Sequence, residues 1–138
     1  LHREGFSRTA TEGVLMQVYD ICPLPKPRMT QRDRWAKRPV VLRYRAYCDE
    51  VRLKRLQLPV SGCHVTFVLP MPASWSKKKR SASIGQPHQQ KPDVDNLMKA
   101  LMDALFADDS SVWDFRVSKI WGETGSIRIA EISEPARP

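Results

Sequence analysis

The segment from Lys91 to Asp114 carries six aspartates, Asp93, Asp95, Asp103, Asp108, Asp109 and Asp114, against two lysines, in a chain whose formal charge is +8. Like charges repel, so a concentrated group of carboxylates is either splayed into solvent or drawn together by a cation. In Lys91-Pro92-Asp93-Val94-Asp95-Asn96 the proline favours extended geometry around it, and in an extended segment residues two apart project to one side. Asp93 and Asp95 can then face one point. Hard oxygen ligands of this kind suit magnesium, with manganese as a substitute, which take one or two carboxylates and leave positions for water and a phosphate. The chemistry this suggests is phosphodiester hydrolysis, with an ammonium such as Lys99 stabilising charge that develops on the phosphorane or the leaving oxygen. Each residue also has an ordinary reading. Asp-Val-Asp-Asn before a helix serves as an N-cap, Asp108-Asp109 as a solvated turn, and Lys99 as an i,i+4 partner of Asp95 or Asp103.

Several elements must position these groups. Asp95 or Asn96 can cap a helix running to about Phe106, because Leu97, Leu101, Ala104 and Leu105 lie along one face and the interior lacks glycine and proline. Asp95, Lys99 and Asp103 then follow one another a turn apart on a polar face. Upstream, Gly13 to Cys22 reads as a strand that stops at Pro23-Leu24-Pro25-Lys26-Pro27. Arg28 to Arg38 reads as an exposed basic arm. From Pro39, the residues Val40, Tyr44, Tyr47, Cys48 and Val51 fall at helical spacing, with Pro59 beyond the end. Cys63 to Leu69 alternates as a half-buried strand. Ser74 to Gln90, with Lys77-Lys78-Lys79-Arg80 among serines, glutamines, a glycine and a proline, has no apolar periodicity and reads as a mobile basic loop. Val112 to Trp121 and Ser126 to Ile132, separated by Gly122-Glu123-Thr124-Gly125, read as a closing hairpin. Trp113 and Trp121 are expected in the core or on a sheet face, whereas Trp35 and Trp75 could stack on bases.

The 138 residues fit a single domain. We expect it over residues 14–138, with residues 1–13 a poorly ordered N-terminal extension. The charge of +8 and a pI near 9.8 attract polyanions by Coulomb forces and counterion release, which puts nucleic acid first among partners, though a merely soluble basic protein has the same balance. Between Lys26 and Arg55 there are eleven Lys or Arg against three acidic residues. Lys26, Arg28, Arg32, Arg34, Lys77, Lys78, Lys79 and Arg80 are the candidate DNA-binding side chains. Cys22, Cys48 and Cys63 form no CxxC pair and His2, His64 and His88 are scattered, which argues against zinc and for a reducing compartment. No stretch approaches the roughly 20 apolar residues of a membrane span, so a soluble, cytoplasmic protein is expected. No glycine-rich phosphate loop supports a nucleotidyltransferase.

The run Lys91-Pro92-Asp93-Val94-Asp95-Asn96-Leu97, then Lys99-Ala100, Asp103-Ala104-Leu105 and Asp108-Asp109-Ser110-Ser111-Val112, followed by a strand ending Ser118-Lys119, resembles the RusA family of Holliday-junction resolvases. Pro23-Leu24-Pro25-Lys26-Pro27-Arg28 is similar to the proline-and-basic segment after that family's first strand. The resemblance implies an α+β fold, a small mixed β-sheet with two main helices, in an intertwined or closely packed homodimer. It also implies magnesium-dependent paired nicks across four-way DNA junctions, in recombination and repair, in a bacterial or phage-infected cell, a prophage being a suitable setting. Carried over residue by residue, the family's metal-binding aspartates fall on Asp93, Asp95 and Asp109, and its catalytic lysine on Lys99. The link from Leu105 to Asp108 is shorter here, only Phe106 and Ala107, which leaves Asp108 and Asp109 as alternatives for the third ligand. The competing function is a non-catalytic DNA-binding module of the same fold.

Overall fold

Alternation of apolar side chains sets the centre of the molecule, where Cys63, Val65, Phe67 and Leu69 are all buried on one face of a single strand. The computed structural model describes residues 6–11, 14–28, 38–59, 61–106 and 110–132. In chain order their elements are β1 (Phe6–Thr11), β2 (Val14–Tyr19), α1 (Pro39–Leu53), β3 (Cys63–Pro70), α2 (Lys77–Ser83), α3 (Val94–Leu105), β4 (Phe115–Gly122) and β5 (Ser126–Glu131). The strands form one mixed sheet in the order β1-β2-β5-β3-β4. β3 and β4 run parallel, with Cys63 opposite Phe115 and Leu69 opposite Trp121, while β5 is antiparallel to both β3 and β2. Parallel neighbours need a crossover connection, and the stretch containing α2 and α3 supplies it. Phe6–Thr11, within the stretch set aside in the sequence as an extension, pair with β2 along their whole length.

Strands β4 and β5 are not the hairpin that the sequence suggests, because β3 lies between them. The short Glu123–Gly125 link carries the chain past the end of β3, where Met71 N–H donates to the Gly122 carbonyl at 3.1 Å. Gly125 is pressed against Cys22, three residues beyond β2: a Cβ there would lie 2.6 Å from Cys22 Sγ and 2.9 Å from its Cα. Period-two alternation marks strands but not which strands are neighbours, and a three-residue link suits either arrangement.

Helices α1 and α3 cover one face of the sheet. Helix α1 opens with proline in its first turn and buries Val41, Tyr44, Tyr47, Cys48 and Val51. Helix α3 buries Leu97, Met98, Ala100, Leu101 and Ala104 against the same core, which Phe67, Ile127 and Ile129 reach from the sheet. Full burial of such a side chain stabilises the fold by about 1.5–3 kcal/mol, so this apolar stripe fixes α3 and whatever its polar face carries. Arg52 Nε of α1 donates to the Ala104 carbonyl at 2.7 Å, a cation on the last turn of α3 where the helix dipole favours one.

The expected basic loop is instead structured. Ser76 caps α2 by accepting from the Lys79 N–H at 3.2 Å. Beyond α2, Gly85 and His88 donate backbone N–H groups to the Trp121 and Lys119 carbonyls at 2.9 and 3.1 Å, and Trp121 N–H donates to the Gln86 carbonyl at 3.0 Å. These bonds occupy the outer edge of β4, which would otherwise present unpaired backbone groups. The ring of Trp121 lies 4.7 Å from that of Trp75 and 4.0 Å from that of His88. Apart from the Ser76 cap, these partners are distant in sequence, so the segment carries no local periodicity to announce its order. Trp121 is buried as expected, but Trp113, which precedes β4, is 67% exposed among the described residues. All three cysteines are free thiols, with Cys48 and Cys63 buried.

Candidate active site

The carboxylate pair stands at the start of α3, on a turn held from the sheet. Lys119 of β4 shares its sheet face with Val117 and Trp121, the helix-facing side, and its ammonium donates to the carbonyls of Gln90 at 2.6 Å and Pro92 at 2.7 Å. The next residue, Asp93, is the N-cap of α3 in extended geometry, and its carbonyl accepts the first helical bond from Leu97 N–H at 3.1 Å. The cap is therefore two residues before Asp95 and three before Asn96, the caps expected from sequence. The Asp93 side chain makes no capping hydrogen bond, which leaves its carboxylate uncommitted to the helix. Its cationic neighbour is Lys91 at 3.9 Å, with the two side chains 90% and 64% exposed, so the pair is loose and screened by solvent. Asp95 is exposed in the first turn of α3, where the helix dipole favours an anion.

Further along the polar face, Asp103 is taken by Lys26, whose ammonium lies 2.5 Å from its carboxylate. The Asn96 side-chain amide donates to the Lys26 carbonyl at 3.1 Å. These two contacts lash the proline-rich segment after β2 onto α3 and open a groove of about 480 Å³ lined by Lys26, Pro27, Arg28, Asn96 and Lys99. Lys99 is exposed and forms no ion pair among the described residues, so the ordinary i,i+4 reading does not account for it. The site thus sets two carboxylates beside a groove walled by Lys99 and Arg28. Carboxylates hold a metal, and cations attract the oxygens of a phosphodiester.

The ends of the basic arm are joined, since Arg38 Nη2 donates to the Arg28 carbonyl at 3.1 Å. Arg32 and Arg34 lie outside the described residues, as do Trp35, Asp108 and Asp109. Of the α2 cations, Lys77 and Lys78 are exposed, and Lys79 Nζ sits 4.2 Å from the centre of the Trp75 ring. Arg80 is structural: it donates to the Pro72 carbonyl at 2.7 Å and pairs with Glu123 at 3.1 Å. The structure therefore sets Asp93 and Asp95 at the start of α3, Lys99 with Lys26 and Arg28 along the groove on its polar face, and the α2 cations on a separate element.

No group of three acidic, histidine or cysteine side chains gathers among the described residues. Asp93 is the extended N-cap and Asp95 a helical residue of the first turn, so the two do not share the single extended segment that the sequence suggests; each offers an exposed carboxylate of the hard-oxygen kind that magnesium takes. The sequence names Asn96 and Lys119, the first as a candidate cap and the second at the end of a motif strand, but not the contacts they make. Asn96 is not the cap, and its bond to the Lys26 carbonyl has no local signal. Lys119 signalled itself as a lysine at an inward-facing position of a strand, between Val117 and Trp121. No helix of the described residues is long and apolar enough to cross a membrane.

Comparison with known proteins agrees with the motif. The uncharacterized protein YqaN of Bacillus subtilis (strain 168) is 43% identical over 79 residues, 51% of this chain and 55% of that protein, so the chain spans about half the length of this curated relative. The family model for endodeoxyribonuclease RusA matches residues 20–131, a stretch that runs from the end of β2 through α1, β3, α2, α3 and β4 to the end of β5. With the match covering the sheet centre, both long helices and the carboxylate turn, this chain belongs to the RusA endodeoxyribonuclease family.

Proposed function

We propose that this chain is a magnesium-dependent, structure-selective endonuclease that resolves four-way DNA junctions by paired nicks, in recombination and repair, and that it works as a homodimer. The observation that carries the reading is the uncommitted Asp93 and Asp95 pair beside a groove whose cations, Lys99 and Arg28, have no ion-pair partner among the described residues. Asp93 and Asp95 would hold the metal, with Asp109 as the third ligand carried over from the family. When bound, magnesium supplies Lewis-acid polarisation of the phosphate and a water acidic enough to attack it. Lys99 places a positive charge where negative charge accumulates on the phosphate or the leaving oxygen. Arg28 holds a neighbouring phosphate, and the Lys26–Asp103 pair keeps the proline-rich segment in place to do so. A two-fold dimer suits the approximate two-fold symmetry of a junction, since two equivalent sites then meet opposed strands.

The test is cleavage of a labelled synthetic four-way junction against linear duplex, with and without magnesium, by the wild type and Asp95→Asn. We expect paired, magnesium-dependent nicks from the wild type at a particle mass twice the 15.9 kDa of the chain. Asp95→Asn is expected to lower the cleavage rate by at least about 100-fold, as loss of a metal-held charge does, while binding the junction as before. Junction binding by both proteins without cutting, over a range of junction sequences and divalent metals, replaces the enzyme with a binding module.

A further inference from the structure

We infer that Lys119 is a positioning residue for the carboxylate turn: its ammonium fixes the backbone from which Asp93 and Asp95 project, and so sets the affinity of the site for a divalent cation. The inference rests on the metal-site reading proposed above. Lys119 sits two-thirds along β4, on the strand face that meets the helices, and its partners are the Gln90 and Pro92 carbonyls at 2.6 and 2.7 Å. No carboxylate pairs with it among the described residues, so its charge is spent on main-chain oxygens. Charge-assisted bonds of this kind are roughly twice as strong as neutral ones, and two converging on one nitrogen define where the turn can be.

The same stretch is also held by its backbone, because His88 N–H donates to the Lys119 carbonyl at 3.1 Å. Lys119 therefore grips the segment from both its main chain and its side chain, at His88 and again at Gln90 and Pro92. Asp93 follows Pro92 directly and Asp95 lies two residues on. Two carboxylates that repel each other need their separation imposed before a cation arrives, and groups that orient metal ligands without touching the metal are worth 10–100-fold in affinity. A cation at that place repels the metal itself, so its value lies in the oxygens it holds.

The experiment uses the full chain and two variants. Lys119→Met keeps the aliphatic stem and removes the charge, and Lys119→Gln keeps one neutral donor on a side chain an atom shorter. Each is compared with the wild type in three ways: manganese titration followed by the resonance of the free ion, amide hydrogen exchange across residues 88–96, and junction binding without metal. We expect Lys119→Met to weaken manganese binding about 10-fold or more, with faster exchange confined to the turn and unchanged metal-free junction binding. Lys119→Gln should fall between it and the wild type. Wild-type exchange and wild-type manganese affinity in whichever variant folds would overturn the inference, as would a loss of metal-free junction binding with the turn unaltered, which makes Lys119 a DNA contact. If the turn loosens but the wild type binds no manganese and cuts no junction, the positioning role stands and the metal-site reading falls.

Discussion

At the scale of residues, the division of labour among cations is the main result. Lys26, Lys99 and Lys119 all lie near α3, yet one is neutralised by Asp103, one faces an open groove and one is spent on carbonyls. Only the second has the freedom that a charge-stabilising group needs. Two histidines, His88 buried beside Trp121 and His64 half-buried on the sheet face away from the helices, extend the same logic to pH. Burial lowers the pKa of His88, assisted by the charge of Lys119, and burial likewise lowers that of His64, assisted by Arg116. A depressed folded-state pKa means that the unfolded chain binds more protons, so the contribution of these groups is fully present above the ordinary histidine value of 6.5 and is lost as pH falls below it toward the folded values. Thermal melts between pH 8 and pH 5 should show Tm falling below about pH 6.5, and His88→Gln should flatten that fall. An unchanged slope in His88→Gln would show that His88 is protonated alike in the folded and unfolded chains. At this scale Asp93, Asp95 and Lys99 were singled out because they stand within one contiguous box. The bonds that hold them were not: Lys26 and Asp103 are 77 positions apart, and Lys119 grips carbonyls 29 and 27 positions away, which every residue possesses and no sequence pattern advertises.

Elements were legible where their signal is local. The apolar stripe of α3, the proline start of α1 and the alternation of β3 each follow from spacing within one segment: β3 ends one residue past its expected bound, α1 starts at the expected proline but ends at Leu53, well short of Pro59, and α3 starts two or three residues early. Helix α2 and the order of β4 and β5 depend on contacts made elsewhere in the chain. That difference is measurable in the α2 cations. Arg80 donates to the Pro72 carbonyl and pairs with Glu123, its side chain 23% exposed, whereas Lys77 and Lys78 make no ion pair among the described residues. A charged donor on a carbonyl contributes about 1.5–3 kcal/mol and a partly exposed ion pair about 0–1 kcal/mol, with solvent screening holding the sum toward the lower end. Arg80→Ala should therefore lower stability by about 1–2 kcal/mol, read as a reduced midpoint of urea unfolding at unchanged slope. Lys77→Ala should leave the midpoint where it was. Equal midpoints for both variants would mean that α2 is not held to the sheet through Arg80.

Over the whole molecule, charge is segregated, with a net +8 spread around a stretch that concentrates six aspartates. The arrangement suits a polyanion that must be gathered from solution yet presented to a site of opposite sign, because field and ligand are then supplied by different parts of the surface. The basic groove beside α3 and the exposed Lys77 and Lys78 on α2 are two places where backbone phosphates can meet it. Each phosphate neutralised on duplex DNA releases condensed counterions and adds about 0.9 to the steepness with which log K falls against log salt concentration. If the α2 cations lie on the DNA path, the double substitution of Lys77 and Lys78 by alanine should reduce that steepness by roughly 2, measured by junction binding between 50 and 200 mM salt without metal. The rate of cleavage from the bound state should be preserved, since neither side chain belongs to the groove beside Lys99. Asp95→Asn should show the converse, a wild-type salt slope with cleavage lost. A double variant that keeps the wild-type slope would take Lys77 and Lys78 off the DNA path and leave the phosphate contacts to other cations, Arg28 and Lys99 of the groove first among those to test.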